Sequence, residues 1–449
     1  MIKILPKSLI DLANKLDKPL FLVGGAVRNY LIDNSLSTDL DICAAIPLEQ
    51  FVKVVEESGF AISCVYKRTG TVLFLDGQFH YEYTAFRREK YVGGAHTPEY
   101  TELTDDIRED AVRRDFKCNA IYYDIKNQKI VDILGGVEDI KNKTLDTVKE
   151  PDKVFSADGL RLLRLARFVG ELNFKPTNEV IEAATKYADN ILDISPERIY
   201  SELKMILACD CKYPFSDPIG HYNALKLLDD TRVLDKIIPE LTAGRGMAQR
   251  KDFHKYDVLE HSLRAVLYAK VNVRLGALLH DIGKPYCFIK DGRYHNHYAE
   301  GEKIAENVLK RLKADNETMA KIKFLVREHM LDLDCSMREN KIRKFLVKHI
   351  SYIDEFFMLK QADFRASLEE DGTSPTILKW QTILAKMKED GTPFSLKELK
   401  INAKDLMVLG CKGKEISRIL NEIFEFCILN PQQNKKELLL KKAKRLLDT

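Results

Sequence analysis

The chain has 449 residues, 45% hydrophobic and 31% charged, which excludes a disordered or collagen-like polymer and suggests about two to four domains. Its 71 basic and 68 acidic residues leave a net charge of +3, so a nucleic-acid site must come from local clustering. No apolar run approaches the ~18–20 residues of a membrane helix, MIKILPKSLIDLANKLDKPL lacks the features of a secretory signal, and nine cysteines without a CxxC pair fit a cytoplasmic protein with no membrane partner.

An amphipathic helix is predicted over residues 7–17 and a short strand over Pro19–Val23. Gly24 and Gly25 break that strand, and a helix starts from about Ala26. Strand-like runs follow at Asp39–Ala44, Thr71–Leu75, Tyr81–Phe86, Asn119–Asp124 and Ile130–Ile133, separated by Gly/Asn/Asp turns. The first ~150 residues therefore read as α+β with a mostly antiparallel sheet. Beyond them, apolar spacing predicts helices over 158–170, 176–190, 196–208, 220–229, 257–283, 299–313, 315–330 and 338–370. The Gly- and Pro-bearing stretch Asp371–Pro393 is a candidate boundary. The C-terminal PQQNKKELLLKKAKRLLDT sets six basic residues against two acids, either a solvated helix face or a phosphate-binding tail.

Two constellations carry chemistry. In LVGGAVRNYLIDNSLSTDLDIC, a strand meets a helix at Gly24-Gly25. Backbone N–H groups at such a junction can cradle a triphosphate, with Arg28 one turn into the helix to add a charge-assisted hydrogen bond. Asp39 and Asp41 follow on a predicted strand, two residues apart and so on one face. Two carboxylates placed together need a cation, and Mg²⁺ with phosphate oxygens supplies it. An isolated DxD is more often a solvated strand edge; the GGxVR ahead of it favours the metal.

These residues resemble the class II tRNA nucleotidyltransferase/poly(A) polymerase family, the CCA-adding enzymes and their relatives. Further motifs follow in order: Arg113-Arg114-Asp115-Phe116 with Asn119-Ala120, Asp132 with Gly135-Gly136, the run from Asp158 through Arg161, Arg164 and Arg167 to Phe168, and Ser195-Pro196-Glu197-Arg198. The resemblance implies that Arg114 and Asp115 select the ribose, that Gly135-Gly136 is a hinge, and that Asp158 and Arg161 read the base. It also implies nucleotide binding by Asn119, Arg164 and Arg167. A carboxylate accepts from the exocyclic amine shared by cytosine and adenine, and a guanidinium donates to the adjacent ring nitrogen; uracil and guanine present the opposite polarity. Asn29 stands where the family usually has Asp, Ala157 where it has Glu, and Lys117-Cys118 where it has Thr-Ile. Asp110 is a candidate third acidic group. Thr84–Asp106, with Gly93-Gly94, resembles the family's flexible loop at full length, which argues against an enzyme that adds only CC.

Six of ten histidines fall between His254 and His329. His261, His280-Asp281 and Asp363 resemble the H…HD…D metal ligands of the HD phosphohydrolases. His297 and His329 are candidates for a second metal or for phosphate. Imidazole with carboxylate suits a divalent transition metal or Mg²⁺, and a metal-activated water attacking phosphorus would give hydrolysis.

The expected architecture is α+β. A polymerase-β-like nucleotidyltransferase head with a small mixed or antiparallel sheet (1–146) precedes an all-α neck (147–210), an HD body (211–370) and a tRNA-binding tail (371–449). The expected activity is template-independent addition of CCA to the 3′ end of tRNA from CTP and ATP, as in HD-bearing bacterial members of the family. An A-adding enzyme, a poly(A) polymerase, a phosphohydrolase with an inactive head and an RNA-binding module are the alternatives.

Overall fold

The computed structural model describes residues 5–447 apart from 68, 91–99, 251, 253 and 370. It contains two compact units, residues 1–242 with 310–314, and 243–309 with 315–449.

The first unit opens with α1 (Lys7–Lys15), β1 (Phe21–Val23), α2 (Gly25–Asp33), β2 (Asp39–Ala44) and α3 (Leu48–Glu57). Then come β3 (Ala61–Tyr66), β4 (Thr71–Asp76), β5 (Phe79–Ala85), a hairpin of β6 (Arg87–Lys90) and β7 (Tyr100–Leu103), α4 (Ile107–Val112), β8 (Ile121–Asp124) and β9 (Lys129–Asp132). Seven strands form one sheet in the order β3-β4-β5-β2-β1-β8-β9. All pairs are antiparallel except β2 with β5, which aligns Asp39 with His80 and Asp41 with Glu82. Alternation does the rest: Leu40, Ile42, Tyr81 and Tyr83 are buried, with Phe51 of α3 stacked on Tyr83 at 3.5 Å between ring centroids. The opposite face of the same strands presents Asp39, Asp41 and Glu82.

Sequence periodicity overlooked β3, whose residues are largely exposed, and the hairpin, whose RREK carries no apolar alternation. Asn119 belongs to a 3₁₀ turn, Lys117–Asn119, so β8 starts only at Ile121. The expected loop glycines Gly93-Gly94 lie outside the described residues.

Helices complete the unit: α5 (Gly136–Asn142), α6 (Pro151–Ala157), α7 (Leu160–Leu172), α8 (Asn178–Lys186), α9 (Pro196–Leu207), α10 (Gly220–Asp230), α11 (Val233–Ile237) and α12 (Pro239–Thr242). The Asp132 carboxylate accepts from the N–H groups of Gly135, Gly136 and Val137, capping α5. Asp158 was expected inside a helix, but its backbone is extended, between α6 and α7. Its Oδ1 accepts from Leu160 N–H at 2.9 Å, the local bond that makes Asp favour helix starts.

The second unit is helical: α13 (Val258–Tyr268), α14 (Arg274–Leu279), α15 (Gly283–Asp291), α16 (His297–Arg311, whose last two residues count with the first unit), α17 (Asn316–Glu328), α18 (Glu339–Lys348), α19 (Ile353–Leu368), α20 (Pro375–Glu389), α21 (Ala403–Val408), α22 (Lys414–Leu429) and α23 (Lys436–Leu447). The predicted helix 257–283 is two, because Ala269 turns extended after α13. The predicted helix 338–370 is also two, divided by a 3₁₀ turn at Ile350–Tyr352. The stretch 371–393 holds α20, with Pro375 in its first turn and Trp380 fully buried. Among the described residues, no helix is long and apolar enough to cross a membrane.

Candidate active sites

The first site is a cavity of about 1030 Å³ in the first unit. Gly24, Gly25, Arg28, Asp41, Arg114, Asp115, Asn119, Asp158, Arg161, Arg164 and Arg167 all line it. Residues from Gly24 to Arg167 thus line one cavity. Asp39 shares the face of Asp41 but is not part of the lining; it is exposed, 3.3 Å from His80 Nδ1.

Gly24 has φ +73, and a Cβ there would come within 3.2 Å of Asp41 Oδ2. Glycine thus permits the turn into α2 and lets the carboxylate approach the backbone. Surrounding protein is the main influence on Asp41 and raises its carboxyl; Asp39 adds to this, while Arg114, Arg164 and Arg28 oppose it. Glu82 is raised by burial and by Asp41, against Arg87. Asp39, Asp41 and Glu82 share one face of paired strands, a donor set of hard oxygens that fits a divalent cation. Their oxygens do not all lie within 4.8 Å of one another, unlike those of the histidine clusters below. Glu82 was missed in the sequence because only the parallel register of β5 on β2 brings it beside Asp41.

Asp110 does not join this group. It is fully buried; Oδ1 accepts from Arg113 Nε at 2.7 Å, and Oδ2 from Arg114 Nη2 at 3.1 Å and Tyr122 hydroxyl at 2.7 Å. Burial alone would raise its carboxyl, but Arg114, Arg113 and Tyr122 bring it down to about 2. Its spacing to Arg113 and Arg114, i+3 and i+4, is the overlooked signal.

Asp115 is a hub. Oδ2 accepts from Arg164 Nε at 2.8 Å and Nη2 at 2.5 Å, and Oδ1 accepts from Asn119 Nδ2 at 3.1 Å and Phe116 N–H at 2.8 Å. These partners overcome burial and hold its carboxyl well below the usual range. Arg161 Nη2 donates to the Arg113 carbonyl at 2.6 Å, with its Nε 3.8 Å from Asp158 Oδ2. Arg167 is bound by Glu202 at 2.8 Å and Glu171 at 3.1 Å, so its charge is largely spoken for. Arg198, Lys212 and Tyr213 also line the cavity.

The second site lies in the second unit. His261, His280 and Asp281 form one cluster able to hold a metal, and Asp281, His297 and His329 another. All five are buried. Asp281 Oδ2 faces His261 at 3.4 Å and His280 at 3.2 Å; Oδ1 faces His297 at 3.3 Å and His329 at 3.5 Å. Asp363 Oδ1 reaches His261 at 3.0 Å and His280 at 3.5 Å. Each Nδ1 of His280, His297 and His329 contacts a backbone carbonyl, of Ala277, Tyr294 and Val326, at 2.7–2.8 Å. A carbonyl only accepts, so Nδ1 carries the proton and Nε2 is left to bind metal. Both Asp281 oxygens are buried without a well-directed hydrogen bond. The donor set fits one or two divalent ions. Lys284, missed in the sequence although only three residues past Asp281, places Nζ 2.6 Å from Asp281 Oδ2 and donates to Gln249 Oε1 at 2.7 Å.

Three family descriptions match the chain: the poly A polymerase head domain over residues 20–146, a probable RNA and SrmB-binding site of polymerase A over 173–244, and the HD domain over 258–355. An A-adding tRNA nucleotidyltransferase from Deinococcus radiodurans is 29% identical over 349 residues, 73% of this chain and 76% of the relative. A multifunctional CCA protein from Acinetobacter baumannii is 30% identical over 325 residues, 69% of this chain and 74% of the relative. The fold matches that of the Bacillus stearothermophilus CCA-adding enzyme in complex with CTP, with TM-score 0.68, 22% identity and 99% of each chain covered.

Proposed function

Because the chain belongs to the class II tRNA nucleotidyltransferase/poly(A) polymerase family, among its HD-bearing CCA-adding enzymes, we propose that it is a cytoplasmic enzyme that adds CCA to the 3′ end of tRNA from CTP and ATP. The observation that carries this is the single cavity joining the Gly24-Gly25 turn and Arg28, the acidic face at Asp41, and the Asp158/Arg161 pair. The N–H groups at the start of α2 and Arg28 would bind the triphosphate. Arg114 and Asp115, with Asn119 and Arg164 fixing Asp115, would seat the ribose. Asp158 and Arg161 would accept the amine edge common to C and A. Asp39 and Asp41, with Glu82, would hold Mg²⁺. Mg²⁺ bound there would ease deprotonation of the tRNA 3′-hydroxyl and neutralise the leaving pyrophosphate. The protein's own share is positioning and electrostatics, as in other phosphoryl transfers.

The neck, body and tail would grip the tRNA by A-form shape and backbone, and the lysines of α23 suit that role. The residues of the HD cluster, His261, His280, Asp281 and Asp363 with His297 and His329, would hold a divalent transition metal or Mg²⁺ and support a second, phosphohydrolase activity. An A-only or poly(A) product gains no support from the cavity, since the Asp158/Arg161 edge suits C as well as A. A head without chemistry is disfavoured by its complete acidic face.

The double substitution Asp39→Asn/Asp41→Asn tests the division of labour. Nucleotide addition should vanish while tRNA binding and any phosphohydrolase activity persist. Addition that survives would refute the assignment; loss of tRNA binding alone would favour a binding module.

A further inference from the structure

Arg28 differs from its neighbours in the cavity. Arg113 and Arg114 pair with Asp110, Arg164 with Asp115, and Arg167 with Glu171 and Glu202. Arg28 is 2% exposed, yet among the described residues no carboxylate lies within ion-pair distance of it. Its partners are all neutral. Nε and Nη2 donate to Asn29 Oδ1 at 3.1 and 2.9 Å, Nη1 to Asn119 Oδ1 at 2.6 Å, and Nη2 to the Tyr213 hydroxyl at 3.1 Å. The rings of Phe168 and Tyr213 lie 5.3 and 5.7 Å from its guanidinium carbon. Asn119 spends its Nδ2 on Asp115, so its oxygen must face Arg28.

A buried cation without a counter-ion is costly, and here it is held in place rather than neutralised. Resemblance to the family leads one to expect Asp at position 29. A carboxylate there would sit about where Asn29 Oδ1 now accepts two hydrogen bonds. It would form a fork-like ion pair with Arg28 and compete with any anion in the cavity.

We propose that Asn29 and Tyr213 are positioning residues that hold Arg28 as a cation with no carboxylate in direct contact, so that the polyphosphate of the incoming nucleotide, and the pyrophosphate product, serve as its contact counter-ion. Asn29 thereby sets how tightly this chain holds triphosphates, independently of the base. This deepens the nucleotidyl-transfer reading and rests on it.

Calorimetric titration of the full chain with inorganic pyrophosphate, CTP, ATP, CMP and AMP tests it. Asn29→Asp should weaken pyrophosphate, CTP and ATP by a common factor of roughly tenfold or more, as expected for a new competing ion pair. CMP and AMP should change by less than about twofold, because they carry no β- or γ-phosphate to lose that contact. The melting temperature should hold or rise. Tyr213→Phe keeps the ring and removes the hydroxyl; it should weaken the same three ligands by about threefold, the scale of one hydrogen bond. In steady state both variants should raise KM for CTP and ATP alike with kcat little changed. A general folding defect would instead lower the melting temperature and weaken the monophosphates equally. Unchanged pyrophosphate and triphosphate affinity in Asn29→Asp would overturn the clamp while leaving the nucleotidyl-transfer reading intact. A native chain that binds none of CTP, ATP and pyrophosphate would overturn both.

Discussion

Asp41 of β2 and Glu82 of β5 stand directly opposite one another in the sheet's parallel pairing; burial and then the charge of Asp41 raise the Glu82 carboxyl, while desolvation and Asp39 raise that of Asp41. Glu82→Gln removes one charge and little volume. Nucleotide addition should fall about 100-fold in kcat, the scale of losing one electrostatic group at a reacting centre, with the melting temperature preserved. The Mg²⁺ concentration needed for half-maximal rate should rise. Native kinetics in this variant would remove Glu82 from the acidic face.

Asp158 has two tasks, which can be separated. Its Oδ1 caps the start of α7 while Oδ2 faces Arg161. Asn is as good a cap as Asp, so Asp158→Asn should leave stability nearly unchanged. Its amide both donates and accepts, so selection of CTP and ATP over UTP and GTP should relax by roughly 10-fold or more, the worth of one or two hydrogen bonds. Single-nucleotide incorporation with each triphosphate measures this.

The Asp110 cluster predicts a pH signature. Its carboxyl is depressed to about 2 in the folded chain, so its contribution is complete above the unfolded value near 4 and is lost as pH falls through about 2. The stability difference between the native chain and Asp110→Asn should be flat from pH 7 to about 4. Below that it should shrink by about 2 kcal/mol. Urea unfolding at stepped pH reads it, and a difference that grows on acidification would contradict the assignment.

Asp281 faces both histidine pairs, one with each oxygen. Asp281→Ala should therefore abolish metal retention, whereas His329→Ala should remove only part of it. Protons compete with metal for imidazole, so retention should fall as pH drops from 8 to 5. Metal content by mass spectrometry after dialysis at each pH decides this, and equal metal in the native and Asp281→Ala chains would contradict it.

What could be read from sequence was local in sequence. Gly24-Gly25 and the Asp39/Asp41 alternation depend on residues a few positions apart, and the strand-to-helix junction and the strand fall where the pattern puts them. The histidine cluster was legible because its residue types are rare. Glu82 was not, because its role depends on which strand β5 joins. Asp110, a candidate third acidic group by sequence, is instead engaged by Arg113 and Arg114, three and four residues on, which the ligand motif obscures. Apolar spacing carries the helix through Asp158, whereas its short polar side chain caps the start of α7 instead. The boundaries of 257–283 and 338–370 failed where apolar periodicity runs on through a 3₁₀ turn.

The most direct test of the central claim is 3′ extension of three tRNA transcripts, ending at the discriminator base, at C and at CC, with each nucleoside triphosphate singly and in pairs and Mg²⁺ present. The account predicts two C additions from CTP, one A from ATP only after CC, none from UTP or GTP, and then a stop. Addition of A alone, and only to the CC-ending transcript, would contradict it in favour of an A-adding enzyme; a long A tail on any RNA would make it a poly(A) polymerase.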